Sequence, residues 1–123
     1  LKAILLKVSA PFHCSLMAPA ATAVEAALAA VALDAFAFPV VANVTAEPNQ
    51  DSGRVRELLV RQIDGAVRWE QSISLMAESG VTHALEIGPG RVLSGLVKRI
   101  DKRIRVHGVS DPDGIRGISA FLS

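Results

Sequence analysis

Short apolar runs alternate along this chain with stretches of helical periodicity, and that alternation narrows the possible folds more than any other feature. Ala3 to Val8 and Phe38 to Val44 are strand-length apolar runs, and Thr82 to Ile87 and Ile104 to Val109 also read as strands. Runs apolar on both faces suit strands buried in a parallel sheet. Met17, Ala21, Val24, Leu28 and Val31 recur at intervals of four and three, which is one face of a helix. Pro19 is tolerated only in a first turn, so this helix should begin close to Ala18. Asp51 or Ser52 can cap a second helix from about Gly53 to Ile63. A third should run from Trp69 to Glu78 and end at Gly80. After a Gly88-Pro89-Gly90 turn, Val92 to Ile100 reads as a fourth. Asp111 caps a short last helix with Pro112 at its first position. Strands and helices in this order predict an α/β protein with a mainly parallel sheet.

The 123 residues could bury roughly two thirds of their unfolded surface. Half of them are hydrophobic, and the mean hydropathy is +0.38. Between Lys7 and Arg54 the only charged residues are Glu25, Asp34, Glu47 and Asp51. Elements so poor in charge suit packing inside something larger. The start at Leu1, directly before a strand-like run, agrees with a part of a longer domain. A net charge of +1 argues against a general nucleic-acid binder. A single cysteine excludes an internal disulfide framework and fits a reducing compartment. Pro11, His13, Pro19, Glu25, Asp34 and Pro39 break every long apolar run, so no membrane span is expected. Lys7 shortens the N-terminal apolar run too much for a secretory signal.

Several residues could carry chemistry. His13 lies between a strand-like run and an Ala-rich helical run, a junction that suits a proton-shuttling base or a structural histidine. Gln62 falls on the apolar stripe of its helix, three residues after Leu59, where a polar side chain needs a hydrogen bond. Cys14, beside His13, matches no cysteine-hydrolase spacing and reads as a small buried residue. Gly88-Pro89-Gly90 lacks the phosphate-loop pattern, and Pro89 has no N–H to offer an anion, so it reads as a tight turn. No Cys, His, Asp or Glu spacing suggests a metal site, His83 and His107 included. Lys98, Arg99, Lys102, Arg103 and Arg105 form a basic cluster. It is either a solvated helix end or a docking patch for an acidic partner or for phosphate groups.

Five stretches recur in an order that resembles the C-terminal part of malonyl-CoA:acyl-carrier-protein transacylases. They are Val8-Ser9-Ala10-Pro11-Phe12-His13-Cys14-Ser15-Leu16-Met17, Pro39-Val40-Val41-Ala42-Asn43-Val44, Leu59-Val60-Arg61-Gln62, Val67-Arg68-Trp69 and Glu86-Ile87-Gly88-Pro89-Gly90-Arg91-Val92-Leu93. The resemblance covers nearly the whole chain, whereas the family's Gly-His-Ser-x-Gly nucleophile segment does not occur in it. It implies that residues 1–123 are the C-terminal portion of a malonyl or acyl transferase domain with an α/β-hydrolase-like core. It further implies that His13 is the base, with the main-chain carbonyl of Gln62 orienting it in place of a triad aspartate. Phe12, by the same resemblance, crowds α-substituted extender units, and a methyl-sized contrast is worth about 1–3 kcal/mol. The implied substrates are malonyl-CoA and the phosphopantetheine thiol of acyl carrier protein, with no further cofactor and no metal. The implied partners are the carrier protein and the N-terminal half of the same enzyme. The implied location is the bacterial cytoplasm or an organelle with bacterial-type fatty-acid synthesis. An acyltransferase domain of a polyketide or fatty-acid synthase, or a non-catalytic remnant that binds carrier protein, would share these residues.

Overall fold

The computed structural model describes residues 10–123, so the strand expected over Ala3 to Val8 lies outside the described residues. The chain divides into two compact units, one ending at Arg68 and the other beginning at Trp69.

In the first unit a 3-10 turn, Ser15–Met17, leads into helix α1, Ala18–Ala29, with Pro19 in its first turn as expected. Of the expected apolar face, Ala21 is buried and Val24 and Leu28 are half-buried. Strand β1, Val40–Ala42, pairs antiparallel with β2, Glu47–Asn49, so that Val40 faces Asn49 and Ala42 faces Glu47. This corrects the long buried strand expected over Phe38 to Val44. Phe38 is 69% exposed and Val40 43% exposed. The chain turns back at once because Ala46 adopts a left-handed φ of 58° and its N–H reaches the Ala42 carbonyl at 2.8 Å. The returning strand carries Pro48, which has no ladder N–H and therefore suits an edge. The Asp51 carboxylate accepts from the Gly53 N–H at 2.8 Å, capping a 3-10 turn, Ser52–Arg54, that runs into α2, Val55–Asp64.

The second unit runs α3, Trp69–Glu78; β3, His83–Ile87; α4, Val92–Ile100; β4, Arg105–Val109; and α5, Pro112–Leu122. Strands β3 and β4 pair in parallel, from His83 opposite Arg105 to Ile87 opposite Val109. Their connection through α4 is the βαβ arrangement expected of an α/β chain. Ile73, Ala77, Val97 and Ile104 form the core, with Trp69, Met76 and Ile100 packed against it. Burying each of the larger aliphatic side chains contributes about 1.5–3 kcal/mol. Alternation along β3 turns Ala84 to this core and leaves Leu85 and Ile87 37% and 80% exposed. The face of β3 that carries Leu85 and Ile87 is thus open, except at its start, where His83 meets Phe121 of α5. Gly80 ends α3 at a φ of +87°, a left-handed conformation open to glycine. Asp111 caps α5 by accepting from the Gly114 N–H at 2.8 Å, and the helix is 11 residues long, not short. Among the described residues no helix is long and apolar enough to cross a membrane.

Glu86 explains why α4 starts where it does. Its carboxylate accepts from the N–H of Leu93 at 3.0 Å and of Ser94 at 2.9 Å, and from the Ser94 hydroxyl. Arg91, at the N-cap position, makes no side-chain cap. A strand residue thereby satisfies helix donors that would otherwise have no partner. The Ser94 hydroxyl first, then the Ser94 and Leu93 amides and the nearby Arg91 charge, hold the Glu86 carboxyl below its usual 4.5, outweighing its partial desolvation. A carboxyl lowered in the folded state stabilises the fold fully above that value and ceases to do so as pH falls through the lowered one. The urea midpoint of the protein should therefore fall below pH 4.5. Glu86→Gln should lower the midpoint at pH 7 and flatten that acid limb, which a pH series of urea melts would read. An unchanged acid limb would remove Glu86 from the cause.

Candidate active site

His13 sits in the turn before α1 with a φ of 60°, an uncommon left-handed conformation for a residue with a Cβ. Such a conformation costs of the order of 1–3 kcal/mol and persists only where the surroundings hold it. Cys14 Sγ donates to the Pro11 carbonyl at 3.1 Å, and the Met17 N–H to the Cys14 carbonyl at 2.9 Å, closing this turn from both sides. Across 49 residues of sequence, His13 Nδ1 lies 2.9 Å from the main-chain carbonyl of Gln62. A carbonyl only accepts, so Nδ1 carries the proton in this contact and Nε2 keeps its lone pair. An exposed imidazole held in that tautomer can take a proton at Nε2.

The Gln62 carbonyl is available because α2 ends two residues later. The last carbonyls of a helix have no internal donor. The Gly65 N–H turns back to the Arg61 carbonyl at 3.1 Å, and from there the chain is extended. The Gln62 side chain does not supply the contact. It lines a cavity of about 150 Å³ together with Asn43, Asn49, Val55, Leu58 and Leu59. The backbone of this polar residue is what meets the imidazole. Phe12, next to His13, is 60% exposed and packs into no core of its unit. Cys14 is half-buried and engaged with Pro11, not with His13.

The other candidates lie in the second unit. His83 and His107 both meet the Phe121 ring, with centroids 5.0 Å and 5.2 Å away, and His107 Nε2 lies 2.9 Å from the Gly114 carbonyl. Among the described residues no group of three or more His, Cys, Asp or Glu could hold a metal ion. The basic cluster is partly neutralised: Arg103 pairs with Asp101 at 2.7 Å. Arg91, Lys98, Lys102 and Arg105 line one cleft whose walls contain no acidic residue. Gly88-Pro89-Gly90 forms the expected turn, with left-handed Gly88 and Gly90.

Sequence reasoning missed Gly65. A Cβ there would meet the Arg61 carbonyl oxygen at 2.5 Å and Val44 Cγ2 at 2.9 Å, so only glycine fits this helix end. A glycine just after a periodic helical run is a recognisable stop signal, but its link to His13 is tertiary. Gly65→Ala should force the end of α2 to shift. It should cost about 1–3 kcal/mol, as overpacking does, and should weaken the His13–Gln62 contact. Thermal melting together with the His13 ring-nitrogen shifts would check both effects, and a variant with unchanged ring shifts would show that Gly65 does not set the carbonyl.

With this geometry in hand, comparison with known proteins is specific. No protein-family model matches the chain. The malonyl CoA-acyl carrier protein transacylase of Bacillus subtilis is 43% identical over 114 residues, which are 93% of this chain and 36% of that protein. The structure of the acyl-carrier-protein-S-malonyltransferase from Bartonella henselae superposes with a TM-score of 0.91 at 43% identity, over 98% of this chain and 38% of that one. A malonyl-transacylase solved in complex with its type II PKS acyl-carrier protein superposes with a TM-score of 0.85 at 41% identity, over 95% of this chain and 37% of that one. The chain therefore spans a little over a third of the length of the relatives it matches. Identity of about 40% across nearly all of its residues, in the same fold, places the chain in the malonyl-CoA:acyl-carrier-protein transacylase family, where it corresponds to the C-terminal part.

Proposed function

We propose that this chain supplies the general base of a malonyl-CoA:acyl-carrier-protein transacylase, and that His13 is that base. The observation that carries the proposal is the 2.9 Å contact between His13 Nδ1 and the Gln62 carbonyl, made by a histidine in a left-handed turn. A neutral base needs one ring nitrogen protonated and held so that the other is free, and a carbonyl does this without an aspartate. Nε2 would take the proton of a serine hydroxyl as its oxygen attacks the malonyl thioester. The protonated ring would return that proton to the departing CoA sulfur. In the second half, Nε2 would take the proton of the phosphopantetheine thiol, whose sulfur attacks the malonyl ester, and the serine oxygen would leave with the proton. No Gly-His-Ser-x-Gly segment occurs in the chain, so the serine would come from a part of the enzyme outside it. Residues 1–123 would form the C-terminal portion of one acyltransferase domain, working in the cytoplasm. Phe12, exposed beside His13, would disfavour branched acyl groups.

In the full-length enzyme, His13→Ala should lower malonyl transfer by at least the roughly 10²-fold typical of a positioned acid–base group. Gln62→Ala should do much less, because its contribution is main-chain. The 123-residue chain by itself should give no transfer above background. Near-normal transfer by correctly folded His13→Ala would overturn the proposal.

The acid-free cleft with Arg91, Lys98, Lys102 and Arg105 supports a carrier-docking role, since charge complementarity mainly raises association rate. One structural relative was solved with its carrier protein bound. Reversing two charges, Lys98→Glu with Lys102→Glu, should raise KM for carrier protein about tenfold at low salt and leave kcat near its original value. An unchanged KM across a salt series would remove the cleft from the docking surface.

A further inference from the structure

We infer that Arg56 is a positioning residue that sets His13 from the opposite end of the α1–α2 pair. The inference rests on the proposed role of His13. Helix α1 offers α2 a face of alanines and a few half-buried aliphatics, and Ala21 is its only buried residue. A smooth face of small side chains has shallow ridges, and shallow ridges leave the sliding and rotation of one helix on another poorly fixed. Two polar ties, at opposite ends, do what the packing does not.

At one end His13, just before α1, meets the carbonyl of Gln62 in the last turn of α2. At the other, Arg56 in the first turn of α2 reaches the C-terminus of α1. Its Nε donates to the Leu28 carbonyl at 3.0 Å and its Nη2 to the Val31 carbonyl at 2.6 Å. The two ties make the helices antiparallel. On α2 they are separated by about 9 Å of helix rise. The last turn of α1 contains no basic residue of its own, so the guanidinium of the neighbouring helix serves as its C-terminal cation. Of the two carboxylates in the same groove as Arg56, Glu57 pairs with Arg61 at 3.0 Å and Glu25 lies on the wall.

The chemistry of the fork matters here. Two donors on one rigid plane fix both distance and direction between two carbonyls, which a single ammonium cannot do. With the far end of α1 pinned, the near end delivers His13 to Gln62 at one distance. With it released, α1 can slide on its alanine face. The left-handed turn at His13 then loses one of the constraints that keep it in that conformation.

The test uses the full-length enzyme labelled with 15N at histidine, so that the ring nitrogens of His13 report its tautomer. The unaltered enzyme should show His13 predominantly in the Nδ1–H form with slow exchange of that proton. Arg56→Ala should move the ring toward a mixture of tautomers and speed that exchange. It should lower kcat about tenfold while KM for malonyl-CoA stays within about twofold. Arg56→Lys, which keeps the charge and the stem, should fold even if Arg56→Ala does not, and should restore the tautomer only in part. A merely structural role for Arg56 would change the melting temperature without changing the tautomer. If either folded variant kept the His13 tautomer and exchange of the unaltered enzyme, the inference would be wrong. That failure is distinct from a failure of the base assignment, which His13→Ala alone decides through malonyl transfer.

Discussion

A ten-residue helix must leave its last carbonyls without internal donors, and α2 hands one of them, that of Gln62, to an imidazole. The rest of the first unit is arranged around that transfer. Gly65 ends the helix in a space too small for a Cβ, so that the carbonyl is released at a fixed point. The left-handed turn at His13 brings the ring to it. Arg56 holds the far end of the helix that follows His13. A backbone carbonyl is a good orienting group because its position is set by the helix and not by a rotamer. It also cannot be protonated in place of the histidine, as a carboxylate can.

The second unit solves a related problem by another route. Helix α4 has no capping side chain at its own N-terminus, and Glu86 reaches it from the neighbouring strand. In both units a helix end is completed by a residue from outside that helix. The difference is in charge: at the N-terminus of α4 the partner is an anion, and at the C-terminus of α1 it is a cation, as the helix dipole requires.

Apolar surface at Ile87 and Val92, 80% and 72% exposed, accompanies a chain that spans little more than a third of its relatives. Burial on one face of β3 holds the second unit together through Ile73, Val97 and Ile104. The other face carries the exposed Leu85 and Ile87.

Much of the local structure was legible in the sequence because local causes decide it. The bounds of α3 and α4 follow from periodicity, Gly80 and the Gly88-Pro89-Gly90 turn. The Asp51 and Asp111 caps are short-range hydrogen bonds between near neighbours. The antiparallel return through Glu47–Asn49 was not legible, since Pro48 argues against a strand and the turn rests on a left-handed alanine. His13 and Gln62 were legible as a pair only through family resemblance. No periodicity or spacing links residues 49 apart. Only the tertiary structure decided that Gly65 ends α2 where the Gln62 carbonyl is released and that Arg56 ties the helices at their other end. Propensity and capping act over a few residues and can be read along the chain. The pairing of a donor with an acceptor that its own helix cannot use depends on where two helices meet.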